Sequence, residues 1–107
     1  MGIGEQLDLN IVQLRAFRDS GDDLTKPREV EHFGWFKGSR AAERAARELA
    51  GLGYDTTVRR DGWRSFELRA ARVTAIDEET ADTFTREVHD VVVWHGGDYE
   101  GWGASVA

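Results

Sequence analysis

The sequence predicts an α+β sandwich, and two observations lead to this prediction. First, the spacing of apolar residues alternates along the chain between the period of a helix and the two-residue period of a strand. Second, glycine, proline and aspartate fall where the period changes, as they do at turns and helix ends. The 107 residues include no cysteine. We therefore expect one domain, 1–107, whose single hydrophobic core forms without disulfides.

The first helix is predicted from Glu5 to Asp19. Its apolar residues recur at spacings of three and four, which indicates one buried stripe. The stripe consists of Leu7, Ile11, Leu14 and Phe17. Ser20-Gly21 ends the helix, and the polar loop that follows contains Pro27, which cannot continue a helix.

An aromatic-rich strand over 28–37 follows the loop. Its alternation places Phe33 and Trp35 on one face of the strand. The opposite face carries Val30, His32, Gly34 and Phe36. Ser39 is the expected N-cap of a second helix, which runs to about residue 50. The buried stripe of this helix is Ala42, Ala45, Ala46 and Leu49.

Asp61-Gly62 predicts a hairpin turn between a strand over 54–60 and a returning strand over 63–73. In the returning strand, alternation points Leu68 toward the core and Trp63 toward the opposite face. Asp77 is the expected N-cap of a third helix, which Gly96-Gly97 ends. The buried stripe of that helix is Ala81, Phe84, Val88, Val91 and Val92.

The segment Tyr99-Glu100-Gly101-Trp102-Gly103 predicts an irregular final strand. Glycine inside a strand marks a bulge or the close approach of another backbone or ring. Trp102 is therefore an anchor, either in the core or facing a partner. A helix followed by the order β-α-β-β-α-β predicts a ferredoxin-like α+β sandwich with an additional N-terminal helix.

One face of the predicted sheet needs a cover. Two helices suffice for the other face, which leaves Phe33 or Trp35, together with Trp63, on the open one. A large exposed apolar patch is unusual on a monomer. We consider two alternatives for covering this face. Either the N-terminal helix folds over the sheet, or a partner covers it, whether a second copy of the chain or a different protein.

The charge is unevenly distributed along the chain. The net charge is −6, yet residues 26–72 carry +4, while residues 1–25 and 73–107 carry −3 and −7. Because the net charge is negative, it repels polyanions, and we expect nucleic-acid binding to be disfavoured. Within the basic third, Arg40, Arg44 and Arg47 have the spacing of the solvent side of a helix.

The three histidines are the natural candidates for proton transfer near neutral pH. His89 and Asp90 are adjacent on a helix, where neighbours point roughly 100° apart, so we expect no contact between them. His32 is singled out for testing. The histidines lack the spacing of a metal site. We expect no catalytic residue, no metal and no cofactor.

No apolar run approaches the ~20 residues of a membrane span, and the N-terminus lacks the features of a secretion signal. A cytoplasmic protein without membrane contact is the expectation.

Four segments, in this order, resemble the regulator of ribonuclease E activity B (RraB) family. They are Ser20-Gly21-Asp22-Asp23-Leu24, Val30-Glu31-His32, Leu52-Gly53-Tyr54-Asp55 and Tyr99-Glu100-Gly101-Trp102-Gly103. The resemblance implies a ferredoxin-like fold and a noncatalytic modulator that binds the endoribonuclease and lowers its activity. It also implies that His32, Tyr99, Gly101 and Trp102 belong to the family signature. Together with Trp35 and Trp63 these are our candidate partner-binding residues.

The alternative from another class is a single-stranded RNA-binding module. An RNA recognition motif has the same element order and stacks bases on aromatic side chains of its open sheet face. Trp35 and Trp63 would be the stacking platforms. The third predicted strand lacks the glycine-aromatic signature of that module, and Glu67 would face the phosphates. A ligand-sensing domain of similar topology is a further alternative.

Overall fold

The computed structural model describes residues 2–107. Helices and strands follow one another in the predicted order. They are α1 (Ile3–Asp19), β1 (Arg28–Phe36), α2 (Ser39–Gly51), β2 (Asp55–Arg60), β3 (Phe66–Thr74), α3 (Glu78–Trp94) and β4 (Asp98–Ala104). None of the helices in this part of the chain has the length and apolar character needed to cross a bilayer.

The four strands form one antiparallel sheet in the order β2-β3-β1-β4. β1 pairs with both β3 and β4, and β3 also pairs with β2, so β1 and β3 lie in the centre and β2 and β4 lie at the edges. This is the strand order of a ferredoxin-like sandwich, and the predicted α+β fold class is confirmed. Each β-α-β half returns to the same sheet, so the helices collect on one side.

The two faces of the sheet differ sharply. Burial alternates along β1, where Val30, His32 and Phe36 are buried under the helices. We call the other side the open sheet face. The strand registers place these residues on it: Glu29, Glu31, Phe33 and Trp35 of β1; Asp55, Thr57 and Arg59 of β2; Glu67, Arg69, Ala71 and Val73 of β3; Gly101 and Gly103 of β4.

α2 and α3 cover the buried face as predicted. Small side chains on α2 let it lie close to the sheet, and the predicted stripes of both helices are buried. The predicted cap of α3 is present, because the Asp77 carboxylate accepts from the Thr80 backbone N–H. The predicted cap of α2 is wrong. Gly38 is the N-cap, and Ser39 is the first helical residue.

α1 does not cover the open sheet face. It packs beside α3, on the same side of the sheet as the other two helices, and its polar side chains reach the backbone of β4. The intramolecular cover considered from the sequence is therefore wrong. The predicted stripe of α1 is also partly wrong, since Ile11 is 50% exposed. The buried residues of α1 are Gln6, Asn10, Leu14 and Phe17.

The hairpin between β2 and β3 is longer than predicted. β3 begins at Phe66, so Trp63 lies in the turn and not on the sheet, with 78% of its surface exposed. The turn is closed by a hydrogen bond from the Asp61 N–H to the Ser65 carbonyl oxygen. Both Gly62 and Arg64 adopt positive φ, which is uncommon for a residue with a side chain.

Gly97→Ala is expected to destabilise the fold. A Cβ at position 97 would lie 2.5 Å from the nearest atom of the Phe36 ring, so the ring would have to move within a packed core. Overpacking of this kind costs about 1–3 kcal/mol. Urea unfolding of Gly103→Ala provides the control, because nothing lies within 4 Å of that Cβ. Equal stability of the two variants would contradict the close packing of Gly97 against the Phe36 ring.

Candidate functional site

The final strand contains a β-bulge. Phe33 of β1 pairs with Gly101, and the next residue, Gly34, pairs with Tyr99, so Glu100 has no partner on β1. Gly101 has φ +101°, a conformation that favours glycine. Residues three apart normally point to opposite faces of a strand. Because of the bulge, Tyr99 and Trp102 both point to the buried face, where they are 3% and 8% exposed.

Trp102 joins β4 to α1 and α3. Its indole N–H donates to the Asn10 side-chain oxygen at 2.8 Å. The Asn10 amide in turn donates to Thr85 Oγ1 of α3 at 2.9 Å. The indole also stacks on Phe17, with ring centroids 6.4 Å apart and an angle of 4° between the planes, and meets Phe84 edge-on. Trp102 is thus a core residue whose one polar group is satisfied.

His32 lies in the centre of the same core. It is 1% exposed, its Nδ1 lies 2.7 Å from the Tyr99 hydroxyl, and its ring meets Phe84 and Tyr54 edge-on. Burial, reinforced by the Arg72 charge, lowers the pKa of His32 to about 3. Burial also raises the pKa of the Tyr99 hydroxyl. Both side chains are neutral at pH 7, and the position of His32 is that of a structural residue.

The predicted site residues therefore lie in three places. His32, Tyr99 and Trp102 are buried together, and Gly101 is half-buried at the bulge. Trp35 is half-buried on the open sheet face, whereas Trp63 lies in the exposed hairpin turn. The structure groups the signature residues but separates them from the two tryptophans. Partner contact by any of the six stays a prediction.

The open sheet face combines aromatic rings with paired charges. Phe33 lies opposite Gly101, which has no side chain to cover the ring, and Trp35 lies between Glu67 and Asp98. Arg69 Nε contacts Glu31 at 2.7 Å, and its Nη2 contacts Glu29 at 3.1 Å. The result is an aromatic pair beside a network of partly exposed ion pairs. Such a surface suits protein contact, because aromatic anchors within a polar rim are typical of interfaces.

A groove adjoins this face at the end of β1. The residues that line it include Trp35, Lys37, Arg64, Gly96 and Asp98. Arg64 stacks on the Trp63 ring at 4.7 Å, which brings the hairpin turn to the border of the same groove. The open sheet face and this groove together form the candidate site.

The remaining histidines have carboxylate neighbours. His89 Nδ1 lies 3.0 Å from Asp90, so the expectation that these neighbours do not meet is wrong; side-chain torsions bring the two tips together despite their divergent Cα–Cβ directions. His95 Nε2 lies 3.0 Å from Glu48 of α2. Over residues 2–107, no three histidine, aspartate or glutamate side chains come close enough to hold a metal ion.

The loop after α1 is held by Arg28, which the sequence analysis did not single out. The guanidinium forms a two-point contact with Asp22 at 2.6 and 2.8 Å and donates to the carbonyl oxygens of Asp23 and Ser105. The Arg28 contact lowers the pKa of Asp22. The aspartates of the loop resembling the family thus fasten it to β1 and to the end of β4. The signal available in the sequence was an arginine at the first position of the predicted strand, six residues after Asp22.

His32 makes stability depend on pH. In the folded protein the pKa of His32 is about 3, below its ordinary value of 6.5. Between these two pH values His32 is therefore protonated in the unfolded chain and neutral in the folded chain. The stability that neutral His32 contributes to the fold is complete above pH 6.5 and is lost as the pH falls from 6.5 toward 3. The expected slope from this group is at most about 1.4 kcal/mol per pH unit. Urea unfolding at several pH values measures it. His32→Gln should flatten this slope, and an unchanged slope in that variant would refute the assignment.

Asn10→Ala is expected to lower the free energy of unfolding by about 1–3 kcal/mol, because the buried Trp102 N–H loses its acceptor. Ile11→Ala is the matched control on the same helix, since half of its surface is already exposed. Thermal and urea unfolding should separate the two variants clearly. Similar losses would show that the hydrogen bond contributes little.

Comparison with protein families identifies this chain. The family model described as RraB, regulator of ribonuclease activity B, matches residues 8–104, which span α1 to β4. No curated protein matches the chain. The RNA-recognition alternative receives no support from the family match. The four segments that resembled this family lie in the matched range, and the fold is the one expected of it. The chain therefore belongs to the family of regulators of ribonuclease activity B.

Proposed function

We propose that this protein is a noncatalytic modulator that binds an endoribonuclease directly and lowers its activity. Membership in a family of ribonuclease regulators supports the target class. We further propose that residues 1–107 act as a single domain in the cytoplasm, with a protein and not a nucleic acid as the partner.

The observation that carries the proposal is the uncovered open sheet face. Phe33 and Trp35 lie on it, and α1, the one helix that the sequence left for covering it, packs on the other side. Burial of an aromatic side chain in an interface contributes strongly to affinity. A partner protein that covers this face would therefore bury the parts of Phe33 and Trp35 that the chain itself leaves accessible to solvent.

The ionisable groups favour binding over catalysis. His32 is buried and neutral, and the arginines of the open sheet face are engaged by carboxylates on neighbouring strands. A general base needs access to the proton that it removes. Paired charges at a rim instead contribute to specificity and to the rate of association.

The six predicted contact residues divide into two roles in this proposal. Trp35 and Trp63 contact the partner directly, and Gly101 offers bare backbone beside Phe33. His32, Tyr99 and Trp102 are buried and affect partner binding indirectly, because their packing holds the bulge that positions Gly101. A homodimer through the open sheet face is the second candidate, since the same aromatic pair would be covered by a second copy.

Trp35→Ser is the decisive substitution for the proposed function. Loss of an aromatic anchor typically costs at least about 2 kcal/mol, so inhibition of an RNase E-type endoribonuclease should weaken by roughly 30-fold. Trp94→Ser is the matched control, because Trp94 is 82% exposed at the end of α3. Inhibition of RNA cleavage and direct binding are measured for both variants, and circular dichroism checks the fold.

Unchanged inhibition by Trp35→Ser would contradict use of the open sheet face. No inhibition or binding by the wild-type protein would contradict the proposed target. Light scattering distinguishes the homodimer, since a dimer that Trp35→Ser dissociates would place a second copy on this face.

A further inference from the structure

α2 carries a row of arginines on its outer side. Arg40, Arg44 and Arg47 are spaced four and three residues apart, which places them along one line of the helix. All three are exposed. The opposite side of α2 is the buried stripe of alanines and Leu49. The prediction that these arginines lie on the solvent side of the helix is therefore confirmed. The row lies on the side of the molecule away from the open sheet face.

These arginines differ from those of the central sheet. Arg28, Arg69 and Arg72 all form ion pairs. Within the part of the chain that the structure describes, Arg40, Arg44 and Arg47 have no carboxylate within ion-pair distance. The nearby Glu48 is engaged by His95. The row thus offers three guanidinium groups that no carboxylate of the described residues contacts, although Glu43 of α2 lies one helical turn from both Arg40 and Arg47.

We define the basic surface as Arg40, Arg44 and Arg47, which lie along one line on the outer side of α2.

We propose that the basic surface binds an acidic segment of a partner protein. Guanidinium groups pair with carboxylates in two-point contacts, and neighbouring unpaired cations favour a ligand with several carboxylates. Since this surface and the open sheet face lie on opposite sides, both can be occupied at once. The proposal does not depend on the identity of the nuclease.

The distribution of charge favours an acidic polypeptide over RNA. The row from Arg40 to Arg47 rises about 10 Å along the helix axis, which suits a short segment. Beside it, α3 packs against α2 and carries five acidic residues and one arginine. A nucleic acid that extended past the row would meet this negative field, because its charge is continuous along the backbone. A polypeptide can confine its acidic residues to the row.

The test uses the full chain and a fluorescein-labelled peptide of alternating Asp and Glu. Fluorescence anisotropy measures binding at low and at physiological salt. The triple variant R40Q/R44Q/R47Q removes the row, and R15Q/R18Q/R86Q removes the same charge from exposed positions on α1 and α3. We expect at least about tenfold weaker binding for the first variant and little change for the second. R40K/R44K/R47K keeps the charge and should show an intermediate loss.

Three results would overturn the proposal. They are the absence of peptide binding by the wild-type protein, equal losses in the two glutamine variants, and tighter binding of an RNA oligonucleotide of equal charge through the same arginines. Circular dichroism verifies folding, and the lysine variant supplies the comparison if the glutamine variant is unstable.

Discussion

The β-bulge at Glu100 and Gly101 is the constraint on which the rest of the structure depends. Without the extra residue, Tyr99 and Trp102 would point to opposite faces of β4. With it, both rings enter the core, where Tyr99 reaches His32 and Trp102 reaches Asn10. One glycine at φ +101° therefore permits the contacts that join β1, β4, α1 and α3.

The same constraint fixes α1 and so determines which surface stays open. Asn10 accepts the Trp102 N–H, and Gln13 donates to the Trp102 carbonyl oxygen at the edge of β4. An edge strand has backbone groups that lack strand partners, and side-chain amides can satisfy them. α1 consequently lies along this edge instead of on the open sheet face. Because the polar stripe of α1 contacts this edge, no helix within residues 2–107 covers Phe33 and Trp35, which stay half-buried on the open sheet face.

Local pattern was enough to predict the fold but not the position of α1. Strong periodicity located every element, and alternation assigned Val30 and Phe33 to the correct faces of β1. The buried side of α1 was misassigned because its contact is with an edge strand, where Gln6 and Asn10 serve better than Ile11. The hairpin turn at Trp63 and the His89–Asp90 contact depend on turn geometry and side-chain torsions, which spacing does not encode. The placement of His32 beside Tyr99 required the bulge register.

The residues that carry the family resemblance are mostly interior. His32, Tyr99 and Trp102 define a core, and Asp22 fastens a loop to Arg28. The surface residues to which we assign partner contact, such as Trp35 on the open sheet face and Arg44 on α2, lie outside the four segments that resemble the family. Members of one family can therefore share this core while presenting different surfaces. The family resemblance thus describes the core on which the surface is built, and the contacts that we propose depend on aromatic and arginine side chains outside that core.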